Sequence, residues 1–302
     1  MHVFVTGATG WIGSAVVDQL LDAGHEVTGL ARSDASAAAL KAKGARVRRG
    51  DLDDLDGIRA GAAGAEAVVH LANKHDFANP VVTNQAERGA VQAIGDELSG
   101  SHRPFVLASG LASLASGRAA TEQDRSPFHG IDSLRGGSEN LALEFAELGV
   151  GTVVTRFAPT VHGDGDGDGD HGFMAGLVAT ARAKGVSGYI EDGTNRWAAI
   201  HRGDAGRVVR LALDEKVPAG TVLHATAETG VPTRDIAEAV GRGLGLPVVS
   251  VPADRAGEHF GWLTRFYGAD MAASSDATRA LLGWAPGGPT LIEDLDGGCY
   301  HR

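Results

Sequence analysis

Cysteine is almost absent from this chain of 302 residues. The single one, Cys299, lies near the end, which excludes an internal disulfide and a thiolate metal site. Tyrosine is scarce too, at Tyr189, Tyr267 and Tyr300, and aromatic residues make up 5% of the sequence. Basic residues are outnumbered, 27 against 38 acidic, for a net charge of −11. With no lysine- or arginine-rich patch, nucleic acid and anionic membranes are excluded as expected partners. No apolar run approaches the length that spans a bilayer. The first eight residues already read as a strand entering a turn, which leaves no room for a signal peptide and implies a cytoplasmic protein.

What the sequence does contain is alternation. His2 to Val5 reads as a buried strand and Trp11 to Ala23 as a helix closed by Gly24. Strands follow at Glu26 to Ala31, Ala45 to Arg49, Ala67 to Leu71, Pro104 to Ala108 and Thr152 to Phe157. Helices are expected at Ala35 to Lys43, Asp54 to Ala63 and about Gly136 to Leu148. Short connections between such elements imply an α/β fold with a doubly wound parallel sheet of the Rossmann type. Residues 1–163 form the expected nucleotide-binding core. Residues 164–302 form mainly a small C-terminal substrate-binding lobe, with segments near 198–228 returning to the core sheet.

Thr6-Gly7-Ala8-Thr9-Gly10-Trp11-Ile12-Gly13 falls between the first strand and the first helix. Gly7 allows the tight turn, Gly10 lets backbone approach a pyrophosphate, and Gly13 lets the helix lie close on the sheet. The helix N-terminus then offers N–H groups to phosphate. At the end of the second strand, an NAD site would place an acidic residue against the ribose hydroxyls. Arg32 and Ser33 stand there instead. A guanidinium and a hydroxyl suit the 2′-phosphate of NADP, so NADPH is the expected cofactor. Asp34 follows and leaves some use of NAD open.

These glycines resemble the short-chain dehydrogenase/reductase superfamily, in its extended or atypical branch of NAD-dependent epimerases and dehydratases. Further resemblance lies in Gly50-Asp51-Leu52, His70-Leu71-Ala72-Asn73, Val106-Leu107-Ala108-Ser109 and Leu282-Gly283-Trp284-Ala285-Pro286. The resemblance implies that Asp51 and Leu52 frame the adenine, and that Leu71, Ala72 and Asn73 line the nicotinamide ribose. It makes Ser109 the active-site serine, and implies a possible homodimer.

The family's Tyr-x-x-x-Lys pair is missing. Alignment on Ser138 puts Arg135 at the tyrosine position and Glu139 at the lysine position. Arginine polarises a carbonyl but is a poor proton donor near neutrality. Glu139 is expected to accept hydrogen bonds from ribose hydroxyls. Ser109 is the expected oxyanion donor, with His162 the first candidate among histidines near the pocket, ahead of His129 and His75. Tyr267 either lines an apolar pocket or packs in the core, and His201 and Asp204 read as structural. The Asp164 to Gly172 tract imitates a calcium loop, but Ala175 stands where the ligating glutamate belongs, so no metal is expected. The reading is an NADPH-dependent reductase of a small aldehyde or ketone. Its alternatives are an NADP(H) sensor without chemistry, and a sugar-nucleotide epimerase or dehydratase.

Overall fold

The computed structural model describes residues 1–76, 79–163 and 172–300. The Asp/Gly tract at 164–171 lies outside the described residues. In chain order the first half runs β1 (His2–Thr6), α1 (Trp11–Asp22), β2 (Glu26–Ala31), α2 (Asp34–Ala42), β3 (Arg46–Arg49), α3 (Leu55–Ala63), β4 (Ala67–His70), α4 (Pro80–Leu98), β5 (Pro104–Gly110), α5 (Ser138–Glu147) and β6 (Gly151–Phe157). There follow β7 (Thr160–His162), α6 (Phe173–Lys184), β8 (Ser187–Ile190), β9 (Arg196–His201), α7 (Arg202–Asp214), β10 (Thr221–Ala225), β11 (Glu228–Pro232), α8 (Thr233–Leu244) and β12 (Val248–Val251). Shorter helical turns complete the chain, the last at Leu291–Asp296.

Contacts divide the chain into two interleaved units. The first comprises residues 1–109, 125–156 and 206–223. Its seven-stranded sheet has the order β10-β6-β5-β4-β1-β2-β3, with β1 pairing in parallel to β2 and β4. Strand β1 carries the unbroken run Val3-Phe4-Val5, fully buried, which suits a parallel sheet covered on both faces. The order reverses between β1 and β4, and this places the loops after those strands at a topological switch point, where open α/β sheets bind ligands. Phe4, Ile58, Ile94, Leu98, Phe105 and Phe145 anchor the core. Helix α4 packs closely on α5 at Gly95, where a Cβ would come within 2.2 Å of the Phe145 ring.

The second unit comprises residues 110–124, 157–205 and 224–302. It holds a three-stranded sheet, β11-β9-β7, and the parallel pair β12-β8. Its core gathers Trp197, Tyr267, Phe260, Met174 and Leu263. Of the segments near 198–228 expected to return to the main sheet, β10 does so at its edge, whereas β9 pairs with β7 and β11. Helices α4 and α7, three further short strands and the helical turns after residue 252 carry no signal in the sequence pattern strong enough to have been placed.

Candidate active site

The glycine turn takes the shape its spacing demands. Gly7 has φ +66°, and its carbonyl accepts from Gly10 N at 2.9 Å. A Cβ on Gly13 would come 2.0 Å from Gly7 O, so the helix can sit this close only without a side chain. At Gly10 a Cβ would meet Gly7 O alone, at 3.3 Å, and otherwise point into open space. Gly10 caps α1 with no side-chain hydrogen bond. Uncapped N–H groups beside an open glycine edge fit a dinucleotide pyrophosphate. Thr9 and Gly10 are exposed there, and Trp11 and Ile12 half-buried on the first turn.

At the end of β2, Arg32 is exposed and makes no hydrogen bond or ion pair among the described residues. Ser33 caps α2, its Oγ accepting from Ser36 N at 3.1 Å. The sheet register sets Ala31 against Arg49 on β3, and the Arg49 guanidinium reaches Ser33 O and Asp34. Arg49 escaped sequence reasoning because it lies 16 positions from Ser33 and only strand pairing joins them. Asp51 is exposed and turns back to accept from Asp53 N at 2.9 Å, while Leu52 is buried.

Beneath the turn, His70 is fully buried, its Nδ1 2.8 Å from Thr6 Oγ1. Burial, and then the charge of Arg135, pushes its pKa down to about 3, so the imidazole is neutral. Ala72 N donates to the same threonine oxygen at 3.3 Å, which ties the loop after β4 to β1. Leu71 and Ala72 are half-buried on that loop. Asn73 donates from Nδ2 to Glu87, a fully buried carboxylate on α4.

The segment aligned with the missing tyrosine and lysine is not helical at its start. Arg135 (φ 55°), Gly136 (φ 61°) and Gly137 (φ 63°) form a left-handed turn, and α5 begins at Ser138 rather than Gly136. Left-handed backbone at a non-glycine residue is uncommon and marks a position held by its surroundings. Arg135 is held by Glu87, with Nε donating to Oε1 at 2.8 Å, and by Ala108 O, which accepts from Nη2 at 2.9 Å. Arg135 and Glu139 therefore do not stack one turn apart on a single helix. Glu139 instead forms a buried ion pair with Arg156, Nη2 to Oε1 at 2.5 Å, and accepts the Ser109 hydroxyl on Oε2 at 2.6 Å. Glu87 and Arg156 were missed, since nothing local to either residue marks its partner.

His162 lies in the second unit, wholly buried, with Nδ1 2.5 Å from Asp294 Oδ2 and its ring edge-on to His201 at 5.9 Å. His129 Nε2 contacts Asn140 at 3.4 Å, and the His75 backbone donates to Asn73 Oδ1 at 2.7 Å. Tyr267 packs in the core of the second unit, its hydroxyl donating to Thr233 O at 3.1 Å, and burial pushes its pKa up. Asp204 accepts from Gly287 and Gly288 backbone N–H groups and so fastens the segment after Pro286. No helix among the described residues is long and apolar enough to cross a membrane.

Comparison with known proteins agrees with this geometry. The model of the NAD dependent epimerase/dehydratase family matches residues 3–109. An uncharacterized protein of Schizosaccharomyces pombe is 44% identical, across 99% of this chain and 100% of its own. A 2'-dehydrokanamycin reductase of Streptomyces kanamyceticus is 29% identical, across 85% of this chain and 71% of its own. Among solved structures, the UDP-glucose 4-epimerase of Thermus thermophilus in complex with NAD matches with a TM-score of 0.77 at 21% identity, covering 100% of this chain and 98% of that one. The chain belongs to the short-chain dehydrogenase/reductase superfamily, in its NAD-dependent epimerase/dehydratase branch. The reductases among its relatives and the NAD dependence of the matching family support an oxidoreductase that uses a nicotinamide dinucleotide.

Proposed function

We propose that this enzyme is an NADPH-dependent reductase of a small aldehyde or ketone. The observation that carries the reading lies at the end of β5, where Ser109 and Arg135 sit on one unit with the glycine turn. Bound NADPH supplies the hydride. Gly7, Gly10 and Gly13 receive the pyrophosphate, and Arg32, aided by Arg49 and Ser33, receives the 2′-phosphate. Asn73 and its neighbours Leu71 and Ala72 line the nicotinamide ribose.

The side chains at the carbonyl stabilise oxygen rather than deliver a proton. Arg135 keeps its Nη1 hydrogens unengaged among the described residues, and these are available to a carbonyl oxygen. Ser109 turns its hydrogen from Glu139 to the developing alkoxide, and Arg156 keeps Glu139 satisfied meanwhile. The proton that completes the alcohol comes from water, because a guanidinium does not release one near neutrality. In this reading His162 is structural, the second unit is the substrate-binding lobe, and the protein works as a homodimer in the cytoplasm. The reductase named among the relatives supports the direction of hydride transfer.

A specific observation favours one rival. The left-handed turn at 135–137 removes the family's tyrosine–lysine geometry altogether, as a protein that binds NADP(H) without chemistry would tolerate. Stopped-flow oxidation of NADPH against a panel of aldehydes and ketones separates the two. Turnover with at least one member is the expected result. Tight NADPH binding without turnover on any member makes the protein a sensor.

A further inference from the structure

Glu87 is the least expected side chain of the site. It lies on α4 with 0% exposure, and both of its oxygens are taken. Arg135 approaches Oε1 from two nitrogens, Nε at 2.8 Å and Nη2 at 2.6 Å, and Asn73 donates to Oε2. Burial raises the pKa of this carboxyl, and Arg135 and Asn73 act against that. A guanidinium at these distances on one oxygen and an amide N–H on the other is the donor set of a carboxylate.

The partner is only partly covered. The Arg135 side chain is 27% exposed, with Nε and Nη2 spent on Glu87 and Ala108 O. Nη1 takes part in no hydrogen bond or ion pair among the described residues. An unpaired guanidinium in such a place would be a carboxylate trap, since it binds planar anions in a two-pronged fashion. A second carboxylate arriving here meets the fixed negative charge of Glu87 behind the first layer of atoms, in a medium less polar than water. Of the other charges nearby, Arg156 is spent on Glu139, His70 is neutral, and the Arg88 guanidinium donates to Gly136 O at 2.8 Å.

Resting on the proposed reductase reading, we propose that Glu87 sets substrate specificity: it positions Arg135 and cancels its charge, so that the site accepts uncharged carbonyl compounds and turns away 2-oxo acids. Rejection by a built-in like charge is a standard route to discrimination between ligands of one shape.

The test compares glyoxylate with its methyl ester, which share the reacting aldehyde and differ in charge. Wild type is expected to favour the ester in kcat/KM by about tenfold or more. Glu87→Gln keeps the shape and the acceptor facing Arg135, gives up the acceptor facing Asn73, and frees the guanidinium charge. It is expected to move the ratio toward glyoxylate by about tenfold. Glu87→Asp, which keeps the charge, is expected to leave the ratio near wild type while lowering turnover on both compounds. A purely structural role would move both substrates together and leave the ratio alone.

A binding readout runs beside the kinetics: titration of the NADPH complex with oxamate, an unreactive 2-oxo acid mimic, followed by cofactor fluorescence. Oxamate is expected to bind Glu87→Gln about tenfold more tightly than wild type. An unchanged ratio together with unchanged oxamate affinity in folded Glu87→Gln overturns the proposal. If that variant does not fold, a wild type that prefers glyoxylate to its ester overturns it equally. If wild type reduces no carbonyl compound at all, the reductase reading fails. The oxamate comparison still decides whether Glu87 masks the charge of Arg135.

Discussion

Ser109 gives its hydroxyl hydrogen to Glu139 at 2.6 Å, while Arg156 grips the same carboxylate at 2.5 Å from its other oxygen. Arg156 is 1% exposed and Glu139 7%, so the pair is buried and each member depends on the other. The serine at the end of β5 is thus wired to the interior instead of to a tyrosine. Its oxygen is held in place before any substrate arrives, and only its hydrogen has to turn.

Separating the two roles in that contact is a matter of which residue is cut. Ser109→Ala should lower turnover about 10²–10³-fold with NADPH affinity nearly intact, the usual scale for an oxyanion donor. Glu139→Ala should destabilise the fold by about 3–5 kcal/mol, because it strands a buried guanidinium. Urea unfolding of both variants, beside steady-state kinetics, checks the division. A stable Glu139→Ala with only weakened cofactor binding would return Glu139 to the ribose.

Cofactor choice rests on the end of β2. Arg32→Ala should weaken NADPH binding by about 1.5–3 kcal/mol, as for a charge-assisted hydrogen bond, and leave NADH almost unchanged. Arg49→Ala should shift NADPH in the same direction by a smaller amount, since part of its guanidinium is already paired with Asp34. Fluorescence titration with both nucleotides reads this. Equal losses for NADPH and NADH would show that neither arginine meets the 2′-phosphate.

Two glycines of the turn should fail in different ways. Gly10→Val meets only Gly7 O, at 3.3 Å, and should fold with a melting temperature a little below wild type at most, yet bind neither nucleotide. Gly13→Val drives carbon into Gly7 O and should unsettle the packing of α1 on the sheet, which lowers the melting temperature itself. Thermal melts with and without NADPH distinguish them, because only a competent site gains stability from ligand.

Acid should weaken the fold through His70. Its folded pKa of about 3 lies below the ordinary value of 6.5, through burial first and the charge of Arg135 second. The unfolded chain therefore binds a proton between those limits that the folded chain refuses. The contribution is fully present above pH 6.5 and falls away as pH drops, by about 3 kcal/mol at pH 4. His70→Asn should flatten the stability profile over that window in denaturant melts. A profile as steep as wild type would mean that other groups carry the acid sensitivity.

The nucleotide-binding half was legible because its determinants are local. Val3-Phe4-Val5, three glycines and a helix start occur within a dozen residues, and their order alone dictates strand, turn and dipole. Arg32 could be read in the same way, since its place follows from where β2 stops. Helix α4 was missed. Its apolar positions are thinned by alanine and glycine, and Gly95 there makes sense only against the Phe145 ring.

Composition and short-range spacing determined the class of fold, the glycine turn and the absence of the tyrosine–lysine pair. Tertiary structure alone decided what replaced that pair. Glu87 and Arg135 are 48 positions apart, Ser109 and Glu139 30, and Glu139 and Arg156 17. Each contact joins different elements across the unit. The turn at Arg135 takes a left-handed form that no propensity favours for arginine, because a buried carboxylate and the Ala108 carbonyl hold the side chain there. Charges buried in a common interior must find partners wherever the chain brings them, and sequence distance does not enter into that choice.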